Sequence, residues 1–233
     1  EYDDYKDQVL NVLENVRDLL NEHRIVKLDS MEKEADYWLS GEYSEYQKEV
    51  DNLIAKVNSD DVMSTEELKE LAQELDVYES KQRALHLKAM DIAESSRSRA
   101  MIANRVFAQM KELGYSKIDS GFEGTNDEPD YRKAFVIRMK RHGTEMVIIV
   151  NPKGLKSHNI LVSSNEGPES IDYNLISEVT KTITNTGDIS LEANTNSNTP
   201  FEVKELYEGA FDDIYKNGIK VSFKEQRNLD YKK

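Results

Sequence analysis

A chain of 233 residues with 38% apolar and 33% charged side chains has room for one large domain or two small ones, and its ten glycines and four prolines are too few for an all-β fold. With no cysteine, disulfides, thiolate metal sites and a cysteine nucleophile are excluded, and no run approaches the roughly 20 apolar residues that span a bilayer. A net charge of −14 repels nucleic acid and anionic lipid at long range, so the chain reads as a soluble cytoplasmic protein without a membrane partner.

The charge is unevenly spread. Residues 1–113 carry 26 acidic and 15 basic side chains, and residues 114–233 carry 19 and 16. The first of these segments is almost free of helix breakers, with no glycine between Gly41 and Gly114 and no proline before Pro129. A first helix is predicted from Asp4 to about Leu39. Val9, Leu13, Val16 and Leu20 line one face, and Leu28, Met31, Ala35 and Trp38 resume the stripe out of phase. Asp29 with Glu32 forms a possible capping box there, which places a break near 24–27. A second helix covers Tyr43 to Val57.

The third predicted helix is the longest. Ser64 and Glu67 make a capping box at its start, and Gly114 stands where helices end. A heptad register from Leu68 selects Leu71, Leu75, Tyr78, Gln82, Leu85, Ala89, Ile92, Ser96, Arg99, Ala103, Val106, Met110 and Leu113, a coiled-coil pattern with polar exceptions at Gln82, Ser96 and Arg99. Those exceptions either fix a register or mark where the helix leaves the bundle. Tyr2, Tyr5, Tyr37, Trp38, Tyr43 and Tyr46 suit a partner interface and the packing of a helix bundle equally well.

Beyond Gly114 the pattern changes to short strands. Tyr115–Phe122, Ala134–Lys140, Glu145–Val150, Asn159–Ser163 and Ile189–Ala193 are predicted strands, Ile219–Phe223 is a last short strand or an extended tail, and Arg141-His142-Gly143-Thr144 is a tight hairpin turn. The apolar run Met146–Val150 marks a central strand covered on both faces. Helices are predicted over 171–184 and from Thr199-Pro200-Phe201-Glu202 to Gly218. The fold class is therefore α+β: a long helical bundle or coiled coil over 1–113, a small antiparallel or mixed sheet packed with two helices over 114–223, and a polar tail over 224–233.

No motif names a reaction or a cofactor. Phosphate-binding glycine loops are absent, and His23, His86, His142 and His158 stand in no metal-ligand spacing; His23 and His86 read as helix-surface residues and His142 as a turn residue. Pro129-Asp130 and Glu202-x-Lys204 spell the pieces of a metal-dependent nuclease, yet Glu202 also fits a capped helix start. The sequence instead predicts a non-enzymatic interaction or oligomerisation subunit of a larger assembly, self-associating or binding a protein partner through its long helices. An alternative is a nucleic-acid-associated accessory protein using the basic stretch 81–105 and the strand 132–141. A metal-dependent hydrolase is a third. The candidate partner-binding residues are Arg83, Lys88, Arg97, Arg99, Arg105, Lys140 and Arg141. The same basic stretch also reads as a solvated face that balances acidic neighbours in the bundle.

Overall fold

The computed structural model describes residues 2–59, 63–124, 128–154, 157–164, 189–194, 200–202 and 217–227. The fold is α+β, a helical amino half followed by an antiparallel sheet. The chain divides into two compact units, Glu1–Glu94 and Ser95–Lys233. The division falls inside one helix, α5 (Leu75–Glu112). The reason is that each half of α5 buries its apolar stripe in a different core.

In the first unit, α1 (Tyr2–Glu22) buries Val9, Leu13, Val16 and Leu20 as its four-and-three spacing requires. It does not continue to Leu39. A two-stranded hairpin follows, β1 (Ile25–Leu28) against β2 (Met31–Glu34), with Leu28 paired to Met31 and Asp29 at φ 52 in the turn between them. Asp29 tolerates that left-handed conformation, so the residue read as a helix cap makes a turn instead. Short α2 (Ala35–Leu39) and α3 (Glu42–Asn58) complete the return, and α3 matches the predicted second helix to within a residue at each end.

The predicted third helix is split by one residue. Ahead of α5, α4 (Thr65–Gln73) ends at Glu74, whose backbone N–H bonds to Leu71 O, three residues back. No glycine or proline stands there, so packing and not propensity sets the break. The capping box at Ser64 is fully formed: Ser64 Oγ accepts from Glu67 N at 3.2 Å, and the Glu67 carboxylate accepts from Ser64 N at 2.7 Å. Ser64→Ala is expected to lower stability by about 1 kcal/mol, read from urea unfolding midpoints.

At the far end of α5, Gly114 sits at φ 91 and closes the helix with a Schellman motif. Tyr115 N donates to Met110 O at 3.2 Å and Gly114 N to Lys111 O at 2.9 Å.

The second unit holds β3 (Ser116–Phe122), β4 (Phe135–Arg141), β5 (Thr144–Gly154), β6 (Ser157–Ser164), β7 (Ile189–Asn194), β8 (Pro200–Glu202) and β9 (Asn217–Arg227). The strand order is β3-β4-β5-β6-β9-β7, with β8 also on β9, and every pairing is antiparallel. The β4–β5 turn places both His142 (φ 51) and Gly143 (φ 92) at positive φ, the requirement of a two-residue hairpin. On one face Ile102, Ala103, Val106 and Met110 of α5 pack against Phe135, Ile137, Met139, Met146, Ile148, Val150, Ile160 and Val162. Val147, Ile149 and Leu161 of the opposite face are fully buried as well, so β5 is covered on both faces as its apolar run predicts.

Two carboxyl-terminal expectations change. Pro200–Glu202, read as a helix start, is a strand paired to Asn217–Ile219, because pairing with β9 overrides the local cap signal. Lys224–Arg227, assigned to the tail, extends β9 and pairs with β7. The helix expected over 171–184 lies outside the described residues, as do 228–233.

Candidate functional site

The cations singled out in the sequence are divided between the two units. Arg83 and Lys88 belong to the first unit; Arg97, Arg99, Arg105, Lys140 and Arg141 belong to the second. Arg99 is not a surface contact: it is 2% exposed. Its Nε donates to Lys133 O at 3.0 Å, Nη2 to Tyr131 O at 2.8 Å and Nη1 to Ser95 Oγ at 3.3 Å. Ser96, another polar heptad exception, donates its hydroxyl to the same Tyr131 carbonyl. These residues hold the segment before β4 onto α5, and they are buried because that segment supplies acceptors, just past Glu94, where the first unit ends.

Arg141 is likewise committed. Its Nη1 donates to Leu113 O at 2.7 Å, and its guanidinium lies 5.2 Å from the Tyr115 ring centroid, capping the end of α5. Lys88 pairs with Glu42 at 2.7 Å and Lys81 with Glu49 at 2.8 Å, so within the bundle these lysines balance acidic groups of α3. Arg97 and Arg105 are half-buried on α5, and Lys140 is exposed next to the β4–β5 turn. In the strand 132–141, Arg132 meets Asp130 at 2.9 Å, Lys133 meets Glu123 at 3.9 Å and Arg138 meets Asp119 at 3.2 Å.

Of the nuclease pieces, Asp130 accepts from Arg132, Glu202 lies on β8, and Lys204 is outside the described residues. Among the described residues, no group of three or more His, Asp or Glu could hold a metal ion.

The aromatic cluster divides. Tyr43, Tyr46 and Trp38 are core residues of the first unit. Tyr43 donates to Leu20 O at 2.6 Å and Tyr46 to Tyr78 O at 2.7 Å. Burial first, and the nearby Asp36 carboxylate second, pushes the Tyr43 phenol up to about 12; burial and Glu49 push Tyr46 further. These rings pack the bundle.

The sequence gives no hint of the feature that does bring titratable groups together. His23, just past α1, stacks on His86 of α5 with ring centroids 3.8 Å apart and planes 20° apart. Neither is a plain helix-surface residue: both rings line a cleft of about 290 Å³ with Asn15, Val16, Leu19, Glu79, Gln82 and Arg83. Gln82 Nε2 lies 3.3 Å from His23 Nδ1. The donor and acceptor roles in this contact follow the tautomer of His23. His86 Nδ1 is buried with no hydrogen-bond partner. Burial, then the neighbouring His23, holds His86 below its ordinary value of 6.5, and Glu22 opposes the shift. Gln82 and His86 share a helix face at a four-residue spacing, but His23 lies 59 residues before Gln82, beyond any local pattern.

The boundary inside α5 also sharpens the charge distribution. Glu1–Glu94 holds 25 acidic and 11 basic side chains, net −14, whereas residues 95–233 hold twenty of each. The whole net charge of the chain thus belongs to the helical unit. Among the described residues, no helix is long and apolar enough to cross a membrane. Comparison with protein families, curated proteins and solved structures found nothing that matches this chain.

Proposed function

We propose that this chain is a non-enzymatic interaction subunit of a larger protein assembly, in which the helical unit presents an acidic surface to a cationic protein partner. The observation that carries this reading is the confinement of the net −14 to Glu1–Glu94. A field of that sign steers a cationic partner in and repels nucleic acid. Eleven of the fourteen heptad positions are buried within the chain itself, which disfavours self-association through that stripe and leaves the polar outer faces for docking. The densest acidic interval is 66–79, where Glu66, Glu67, Glu70, Glu74, Asp76 and Glu79 face a single Lys69. Val77, 64% exposed, lies among them and offers apolar contact within the charged rim.

The test is capture of partners by the intact chain from its native cells after nuclease treatment, with wild type compared against Glu66→Gln/Glu70→Gln/Glu74→Gln. The expected result is a stoichiometric basic protein that survives nuclease, elutes as salt is raised and binds the variant about tenfold more weakly. Retention that is independent of salt, or recovery only when nucleic acid is intact, would overturn the reading.

A further inference from the structure

We propose that the stacked His23–His86 pair is an acid-sensitive latch: protonation of the two rings parts them and releases the end of α1, with the chain that follows it, from α5. This device goes beyond the partner-binding reading and stands whether or not the acidic surface binds a partner.

The geometry supplies the argument. The rings come from two elements, and their centroids are 3.8 Å apart, a distance that suits neutral imidazoles and opposes two imidazolium ions. Gln82, 5% exposed, lies within hydrogen-bond distance of His23 Nδ1. His86 Nδ1 is buried without an acceptor, so a proton added there arrives with nothing to receive its hydrogen bond.

The charges facing the pair are mixed. Glu22 at the end of α1 opposes the lowering of His86, and Glu79 on α5 lines the same cleft. Arg83 on α5 adds fixed positive charge at the cleft, and Arg24 of the connection is turned to Glu34 at 3.8 Å. A proton on His86 meets burial first and the neighbouring His23 ring second.

The pH sign follows. The folded state holds His86 below its ordinary 6.5, so between the two values the opened state binds more protons. Closure is complete above pH 6.5 and is lost as pH falls through that window.

The experiment is amide hydrogen exchange of the full-length chain at about pH 7.5 and about pH 5.5, corrected for intrinsic rates, beside an NMR titration of the histidine ring protons. In wild type, amides over 19–34 are expected to lose roughly tenfold in protection at the lower pH, with His86 titrating below its ordinary value. His86→Phe keeps a stackable ring and removes no hydrogen bond of Nδ1, so its protection over the same segment is expected not to change with pH. Equal pH dependence in wild type and variant would overturn the latch. Should the variant fail to fold, the wild-type data decide alone: unchanged protection over 19–34 while His86 titrates would also overturn it.

Discussion

Arg99→Met is expected to destabilise the second unit by about 3 kcal/mol, lowering the midpoint of thermal unfolding by roughly 10 °C for a chain of this size. The side chain is 2% exposed and spends its donors on Lys133 O, Tyr131 O and Ser95 Oγ. Methionine fills similar volume but removes the donor to Lys133 O and leaves Tyr131 O with the Ser96 hydroxyl alone, and a buried acceptor without a partner costs about 1–3 kcal/mol. Removing a buried guanidinium also recovers its desolvation cost, which keeps the expected loss well under the sum of three charged hydrogen bonds. Arg99→Lys separates geometry from charge. An ammonium is one compact donor group and cannot reproduce the planar fork that serves two carbonyls two residues apart. The lysine variant is therefore expected to lose nearly as much as methionine in urea unfolding. Full retention of stability in Arg99→Lys would show that charge alone holds the segment.

The same residue shows where a sequence can and cannot be read. Val9, Leu13, Val16 and Leu20 repeat with the helical period, and all four are buried, because an apolar stripe has to find a core whichever core that is. Met146–Val150 was equally readable, since a continuous apolar run makes sense only in a strand covered on both faces. Arg99, Ser96 and Gln82 were not. Their polarity within a heptad register has two meanings, and the deciding partners lie 32 to 59 residues away in Tyr131, Lys133 and His23. The hairpin at 25–34 was hidden for a different reason. Its strands are four residues each, too short for alternation to outweigh the helical signals on either side, and Asp29 serves a cap and a turn equally well. At Pro200–Glu202 a strong helix-start signal lost to pairing with β9, a contact 15 or more residues distant. The basic interval 81–105 was legible as composition, but the partners of Lys81 and Lys88, Glu49 and Glu42, lie on another helix and outside any local pattern.

Ile148→Ala is expected to cost about 4 kcal/mol, near the top of the range for truncating a buried isoleucine. Ile148 is fully buried in the middle of β5, directly between Ile137 of β4 and Val162 of β6, themselves fully buried. Flanked by hydrogen-bonded strands on both sides, the site cannot collapse to fill the lost volume, so the cavity term adds to the transfer term. Ile149→Ala provides the sharper comparison, since its side chain points to the opposite face, away from Ile102, Val106 and Met110. A sheet covered on one face only would tolerate that change within about 0.5 kcal/mol, as surface positions do. With Val147, Ile149 and Leu161 all at 0% exposure, the loss at 149 is instead expected to be about 3 kcal/mol, of the same order as at 148. The readout is amide exchange of β4, β5 and β6, because the single tryptophan, Trp38, lies in the core of the helical unit and its fluorescence reports on that unit. A near-neutral Ile149→Ala beside a costly Ile148→Ala would mean that the second face is open in solution, and the sheet would then have an apolar surface available for docking.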